Sequence, residues 1–504
     1  MSKKFYVSTP IYYPNAKLHI GHAYTTTLAD YINRYKKFRG YETYFVTGSD
    51  EHGQKLETEA AKNKEDPLIF VTRVTKTFIN LWKELGISYD HFIRTTDIEH
   101  ETYVRNNFSK LLKENFIYKG NYSGWYCQSD EAFFTEIQLT KEHRCPVCNK
   151  EVEWITEESY FLKIAEFKKF IKDKLENTSL LTPSYRVIEL VNNFINDLQD
   201  LSITRTSFDW GIKTKEDKKH VIYVWLDALQ NYLSTLTYKN SSWSVETVWK
   251  KDSKVEILQL VGKEITRFHA IYWPIILEML GYRMPTILAH GWLVSDDGEK
   301  MSKSIGNVVD PLEIINLFGR DSLRFFLVNN IVTGDDGRFS LDLLKETING
   351  ILVNKYSNLV FRTNVMIKKY FAGVVPEKNR KTKLEINLKK ELNAFKKEYF
   401  ILMDNYEFSK ATKILINYVE ELNKYIDLST PWSKVGDDYL GTILNFLITE
   451  IFNVTSCLGA ILIDSADQVY KWLSFEEIPT EKDWDHDFSK TKLKKLDHLF
   501  SRLK

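Results

Sequence analysis

The run Phe5-Tyr6-Val7-Ser8-Thr9 is apolar and too short for a helix. Two prolines, Pro10 and Pro14, follow it, and then a helical pattern extends from about His22 to Phe38 and ends near Gly40. Such a run reads as a buried strand, and the prolines hold an irregular loop after it. Tyr44-Phe45-Val46 is a second short strand, closed by a turn at Gly48-Ser49-Asp50. Two strands joined through a helix pair in parallel, which sets the fold class as α/β. In open parallel sheets a ligand sits beyond the carboxyl ends of the strands. Here those ends are Pro10–His22 and Gly48–His52.

A chain of 504 residues is too long for one core and divides into domains. A second α/β signature begins near residue 221. Val221-Ile222-Tyr223-Val224 and Ile257-Leu258-Gln259-Leu260-Val261 both read as strands, the latter ending in Gly262-Lys263 before an aromatic helix. Between the two α/β regions lie three of the four cysteines, short strand-like pieces and a helix-like run at 165–176. This reads as an insertion. After residue 345 helical periodicity dominates. The expected order is therefore 1–114, first half of the sheet domain; 115–220, the inserted domain; 221–290, its second half; 291–345, a linking region; and 346–504, an all-α helix bundle.

Net charge is +1, so any nucleic-acid surface has to be a local patch. Four cysteines in so long a chain make no disulfide framework. The start, Met1-Ser2-Lys3-Lys4, shows no leader pattern, and no window reads as the ~20 apolar residues of a membrane span. A cytoplasmic protein without a membrane partner is expected.

Two motifs carry chemistry. In His19-Ile20-Gly21-His22 a loop becomes a helix. The helix start offers free N–H groups and a positive dipole end to phosphate, Gly21 permits close approach of the backbone, and imidazoles can donate to phosphoryl oxygens as charge develops. Lys300-Met301-Ser302-Lys303-Ser304 follows the turn-prone Asp296-Asp297-Gly298-Glu299. Lysine is a mobile point charge, suited to a loop that closes over a polyphosphate and releases it. Each motif alone is a weak signal. The chain has no Walker A and no GxGxxG sequence.

Together, and in that order, the HIGH and KMSKS motifs resemble the signature of class I aminoacyl-tRNA synthetases. The flanking blocks resemble the methionyl family of that class: Thr9-Pro10-Ile11-Tyr12-Tyr13-Pro14-Asn15, Gly48-Ser49-Asp50-Glu51-His52-Gly53-Gln54, Val224-Trp225-Leu226-Asp227-Ala228, Arg267-Phe268-His269-Ala270-Ile271-Tyr272-Trp273-Pro274 and His290-Gly291-Trp292. The resemblance implies a Rossmann-like catalytic domain carrying an inserted connective domain, with a helical anticodon-binding domain after it. It implies that His19, Gly21, His22, His290, Gly291, Lys300 and Lys303 handle ATP, which brings Mg²⁺. It places a methionine pocket on Ile11, Tyr13, Trp225, Ala228, Tyr232, Phe268 and His269, with Asp50 on the substrate ammonium. A thioether packs well on aromatic edges, and Tyr13 or His269 is expected to donate a weak hydrogen bond to it. Leu229 stands where the family often has proline, and Glu264 where many members have aspartate.

The same resemblance assigns Asn358, Arg362 and Trp432 to the CAU anticodon of tRNA(Met). An Asn and an Arg four apart share a helix face, and a Trp can stack an unpaired base. In the insertion, Cys127 and Asp130 precede Cys145 and Cys148. Two such knuckles match a structural zinc site in spacing, although Asp130 replaces the fourth sulfur; a Cys₃Asp zinc set and a metal-free relic both fit. The implied reaction activates methionine as its adenylate and transfers it to tRNA. Competing readings are a leucine-, isoleucine- or valine-type synthetase, which usually carries a larger insertion; a small-molecule nucleotidyltransferase, which needs no helical domain; and a non-catalytic tRNA-binding paralogue, which need not keep both motifs. The end at Lys504 leaves no appended dimerising domain, so a monomer is expected.

Overall fold

The computed structural model describes residues 3–128, 132–134, 136–146, 148–238, 242–295, 298, 309–378 and 382–503. Its centre is a six-stranded parallel sheet. The strands are β1 (Lys4–Tyr12), β2 (Glu42–Ser49), β3 (His91–Arg94), β4 (Leu181–Thr182), β5 (Glu256–Gly262) and β6 (Thr286–His290), in the order β3-β2-β1-β5-β6-β4. The helix α1 (Ile20–Phe38) links β1 to β2. From β1 the chain turns first to one side of the sheet and later returns on the other. The order therefore reverses between β1 and β5, which makes that crevice the ligand-binding switch point of an open parallel sheet.

β1 runs past Thr9, through Pro10, to Tyr12. Proline has no N–H for the ladder, and the β1–β2 register shifts between Ser8 and Ile11 before pairing resumes as Ile11 with Gly48. The strand expected at Val221–Val224 is different. The paired strand is only Val221–Ile222, antiparallel with Thr204–Arg205 outside the main sheet. Val224 opens a short helix, α2 (Val224–Ala228). The insertion forms an antiparallel sheet of Ala132–Phe134, Ile117–Cys127, Glu153–Leu162 and Leu201–Ser202. Within the same stretch Leu181–Thr182 returns to the parallel sheet, pairing with Ile287 and Leu288.

Beyond the sheet come α3 (Arg320–Asn329), a π-helical stretch Ile348–Ser357, α4 (Asn358–Phe371), α5 (Phe408–Ser429) and α6 (Asp438–Leu458). One hydrophobic core is continuous from β1, α1 and the face beneath them into this bundle, and a second fills the other face of the sheet and the base of the insertion. By length and composition α6 could cross a membrane, which corrects the reading that no segment reaches that length. Its apolar window is entirely buried at the bundle's centre.

A buried ion pair joins the two halves. Asp30 on α1 and Arg324 on α3 meet at 2.7 Å, both fully buried. Arg324 also donates to the carbonyls of Ile461 at 2.9 Å, Ala460 at 3.0 Å and Leu85 at 3.3 Å. Asp30 accepts from Arg34 and from the Ser88 hydroxyl and amide. Burial alone would raise the Asp30 pKa, but Arg34, Arg324 and the Ser88 bonds outweigh it and hold the carboxyl at about 2 against an ordinary 3.8. Its stabilisation is thus complete above pH ~4 and fades as pH falls towards 2. Arg324→Met leaves Asp30 with Arg34 as its only charged partner among the described residues, beside the two Ser88 hydrogen bonds. It should destabilise the protein by about 3 kcal/mol, read as a lowered midpoint in urea unfolding at neutral pH.

Candidate active site

A cavity of about 280 Å³ opens at the switch point. The end of β1, the start of α1 and the ends of β5 and β6 enclose it. Of the residues singled out in the sequence, it gathers Ile11, Tyr13, His19, Gly21, His22, His290 and Gly291.

His19 is the N-cap of α1, with extended backbone (φ −118°, ψ 178°). Its Nδ1 accepts from the Gly21 amide at 3.1 Å, while His22 Nδ1 accepts from the His19 amide at 3.1 Å. The two rings are 3.9 Å apart between centroids. A neutral imidazole whose Nδ1 accepts carries its proton on Nε2. Both histidines are therefore locked by the helix start as Nε2–H donors. The sequence HxGH is a capping box in which the first and last residues satisfy each other's backbone. A Cβ at Gly21 would stand 2.9 Å from the His19 ring, so the close turn requires glycine.

On the opposite wall, His290 is buried at the end of β6. Its Nδ1 donates to the Gly291 carbonyl at 2.8 Å, and its Nε2 accepts from the Thr25 hydroxyl at 2.8 Å. Burial lowers its pKa, which keeps the ring neutral. Gly291 packs so closely on Asp335 that a Cβ would fall 2.1 Å from its carbonyl oxygen. Next to it Trp292 donates from its ring to Glu264 at 2.7 Å and from its amide to Asp336 at 2.8 Å. Lys263 pairs with Asp336 at 2.7 Å and lies over the Trp292 ring. Glu264 and Trp292, which the sequence marked only as a departure and a flanking residue, thus line the cavity.

Lys300 and Lys303 fall outside the described residues, but the chain on either side of their loop can be placed. Leu293 lines the cavity, and Leu293–Val294 pairs with Gly337–Arg338. After the loop, the Val309 carbonyl accepts from the Ile20 amide at 3.2 Å. Both flanks border the His19–His22 turn.

The remaining predicted residues gather beside the cavity, with Ile11 as the bridge. Ile11 and Trp225 pack against buried Tyr223 and Ala228. Trp225 stacks on Phe268 with centroids 3.4 Å apart and planes 7° apart. Tyr232 donates to His269 Nε2 at 2.8 Å, and His269 Nδ1 donates to the Ile265 carbonyl at 3.0 Å. Burial pushes the His269 pKa down from 6.5 to about 4. This neutral ring has no N–H left to offer. The expectation that His269 donates to a sulfur is therefore corrected: both nitrogens are already engaged. Asp50 is buried at the end of β2, and its amide donates to the Tyr12 carbonyl.

Sequence reading missed what holds these pieces. Asp227, fully buried, accepts from His52 Nδ1 and from His100 Nε2, each at 2.7 Å. His100 Nδ1 meets Ser234 Oγ at 2.7 Å. Burial works against both charges, yet the pairing wins: the Asp227 pKa is lowered and the His52 pKa raised. Glu51 is a second anchor, accepting from Ser49, Thr75, Arg94 and Thr96. The loop bearing Asp50 is thereby clamped to the helix bearing Trp225 and Ala228. The only signal in the sequence was that Glu51, His52 and Asp227 are polar residues inside the quoted blocks.

Elsewhere, the Sγ atoms of Cys127, Cys145 and Cys148 lie within 4.8 Å of one another, with Cys127 and Cys148 3.5 Å apart. Zinc–thiolate bonds of about 2.3 Å in a tetrahedron need sulfurs roughly 3.8 Å apart, so these three fit. Asp130 lies outside the described residues. In the bundle, Asn358 Nδ2 reaches Asn423 at 3.4 Å and Arg362 pairs with Asp427 at 2.8 Å, on the last turns of α5. Trp432, half exposed, follows just after the end of that helix.

The chain matches the family described as tRNA synthetases class I (M) over residues 5–153 and 137–364. It is 40% identical to a methionine–tRNA ligase of Thermotoga maritima, across 95% of this chain and 76% of the other. It is 42% identical to that of Mycoplasmopsis pulmonis across all of both chains. Among solved structures it superposes on the methionyl-tRNA synthetase of Mycobacterium tuberculosis in complex with methionyl-adenylate, with a TM-score of 0.91, 31% identity and coverage of 99% of this chain and 100% of that one. The apo form of the same enzyme gives 0.84 at 28% identity. With these matches spanning both the sheet and the helical bundle, the chain belongs to the methionyl-tRNA synthetase family of class I tRNA synthetases.

Proposed function

We propose that this chain joins L-methionine to tRNA(Met) in two steps. A methionine carboxylate oxygen attacks the α-phosphorus of ATP, the bond to the β-phosphate oxygen breaks, and pyrophosphate leaves. The terminal adenosine hydroxyl of the tRNA then attacks the methionyl carbonyl, and AMP leaves. The observation that carries this reading is the capped turn at His19–His22. It brings two N–H-bearing imidazoles and the positive dipole end of α1 to a cavity at the sheet's switch point.

No protein nucleophile is required, because the substrate carboxylate is already ionised. Rate enhancement is assigned to positioning and to charge stabilisation. His19 and His22 donate to phosphoryl oxygens from Nε2, with the Gly21 backbone close by. Lys300 and Lys303 supply positive charge to the pyrophosphate side, together with the Mg²⁺ that ATP brings. Gly291 and the buried, neutral His290 form the wall for the nucleoside. On the other side of β1, Asp50 binds the methionine ammonium by a charge-assisted bond. Ile11, Tyr13, Trp225, Ala228, Tyr232, Phe268 and His269 surround the side chain, with His269 accepting from Tyr232. Asn358, Arg362 and Trp432 read the anticodon.

The three clustered thiols support a structural zinc site in the insertion, with Asp130 as the fourth ligand. The metal would hold the loop together where, among the described residues, the local apolar cluster is Cys127, Phe134 and Cys145 with a few neighbours.

Pyrophosphate exchange into ATP tests the function. It should depend on methionine and not on leucine, isoleucine or valine, and Lys303→Ala should lower its kcat by roughly a hundredfold; exchange driven by another amino acid would reject the assignment. Asp227→Asn should raise the methionine KM about tenfold, because the clamp between Asp50 and Trp225 loosens, and leave the ATP KM within about twofold. Equal changes in both constants would mean general damage instead. Purified protein should carry one zinc per chain by elemental analysis, and Cys145→Ser should lose it; a metal-free wild type would remove the zinc site.

A further inference from the structure

Phe361 stands on α4 between Asn358 and Arg362, with 45% of its surface exposed. Its ring stacks on His498, centroids 5.5 Å apart and planes 19° apart. The pair forms one wall of an open cavity of about 630 Å³, whose rim also carries Asn354, Ser357, Asn358 and Arg502. Phe361 is thus a half-exposed aromatic ring lying beside a predicted base-reading residue.

The segment that brings His498 and Arg502 here is tied down at both ends. Val375 N–H donates to the Thr491 carbonyl at 2.9 Å, and Lys490 N–H to the Val375 carbonyl at 2.8 Å. At the far end, Asn349 exchanges two hydrogen bonds with the Leu503 backbone, at 3.0 and 2.9 Å. Residues 495–502 arch between these anchors over the first turns of α4. The segment 488–503 holds Lys490, Lys492, Lys494, Lys495 and Arg502 against a single acid, Asp497, in a chain whose net charge is only +1. Lys490, Lys494 and Lys495 meet carboxylates, in exposed pairs of small strength. Arg502 reaches Asn354 at 3.4 Å and, among the described residues, meets no carboxylate. Val353, Asn354 and Ser357 of the cavity lining come from the π-helical stretch Ile348–Ser357, a wide-turn geometry frequent at functional sites.

We propose that this cavity is a further nucleobase subsite of the tRNA surface. An unpaired base of the anticodon loop, next to those read by Asn358 and Arg362, stacks on the Phe361–His498 pair, and its phosphate faces Arg502. Stacking on an aromatic platform with a nearby cation is how proteins hold unpaired bases. The proposal rests on the anticodon reading given above, and continuity with Asn358 selects this occupant over an apolar peptide.

The test uses the full chain and a tRNA(Met) transcript, measuring the tRNA KM in aminoacylation and the affinity by direct titration. Phe361→Leu keeps bulk and removes the ring; it should weaken tRNA binding roughly tenfold. Phe361→Tyr should stay within about twofold of wild type. Arg502→Gln should reduce the salt dependence of binding by about 0.7 in the slope of log K against log salt. Unchanged tRNA affinity in Phe361→Leu overturns the subsite. Trp432→Ala is measured alongside. If it weakens binding while Phe361→Leu does not, the subsite falls and the anticodon reading stands. If only Phe361→Leu weakens binding, the subsite stands and the Trp432 assignment falls. If neither does, both fall.

Discussion

The buried pairing of Asp30 with Arg324 is the contact on which the arrangement of the molecule depends. An arginine fully removed from water is tolerated only with its charge paired and its donors used. Here the guanidinium spends them on a carboxylate of α1 and on three carbonyls, two of them in the Ala460–Ile461 turn of the helical bundle. Helix α1 begins at the His19–His22 turn and ends against the bundle, where Lys36, Arg39 and Tyr35 meet Asp404 and Arg39 meets Glu481. The same helix thus positions two histidines at one end and a domain contact at the other. Because the core is continuous along its buried face, the distance between the cavity and the helices bearing Asn358 and Arg362 is set by packing.

Within the site, two chemistries are separated by one strand. On the α1 side of β1 the groups offered are imidazole N–H donors with fixed tautomers, at the positive end of the α1 dipole, whose own first N–H groups are taken up by Val309 and His19. These suit phosphate. On the other side the offered groups are a carboxylate, Asp50, and a set of aromatic rings. These suit an ammonium and a flexible apolar chain. Ile11, near the end of β1, belongs to both: it lines the cavity and packs in the cluster of Tyr223, Trp225 and Ala228. The polar clamp of Asp227, His52 and His100 has no opening to the cavity. It ties the helix bearing Trp225 to the loop bearing Asp50 through hydrogen bonds of 2.7 Å.

Much of this was legible in local sequence. The strand–loop–helix–strand opening appears where the periodicity put it, and HxGH marks the first turn of α1. The capping geometry even explains why those residue types recur at that spacing. Other readings did not survive folding. Val221–Val224 has the composition of a parallel strand but lies outside the sheet, and Val224 turns into a helix. Leu181–Thr182 sits inside the segment read as an insertion, yet it completes the parallel sheet beside β6. Two residues carry no periodicity to detect. His269 looked like a donor until its two ring bonds were visible.

The sequence by itself determined what is local: the strand and helix periods, the N-cap at His19, the proline that interrupts the β1 ladder, and the cysteine spacing of the knuckle. These follow from backbone sterics and neighbours within a few residues. Tertiary structure alone decided the pairings made at long range. Asp30 finds Arg324 across 294 residues and His52 finds Asp227 across 175. The segment 488–503 finds the face of α4, giving Phe361 its stacking partner. A polar side chain does not reveal in sequence whether it will be solvated or buried against a partner, because that depends on which surfaces the rest of the core brings together.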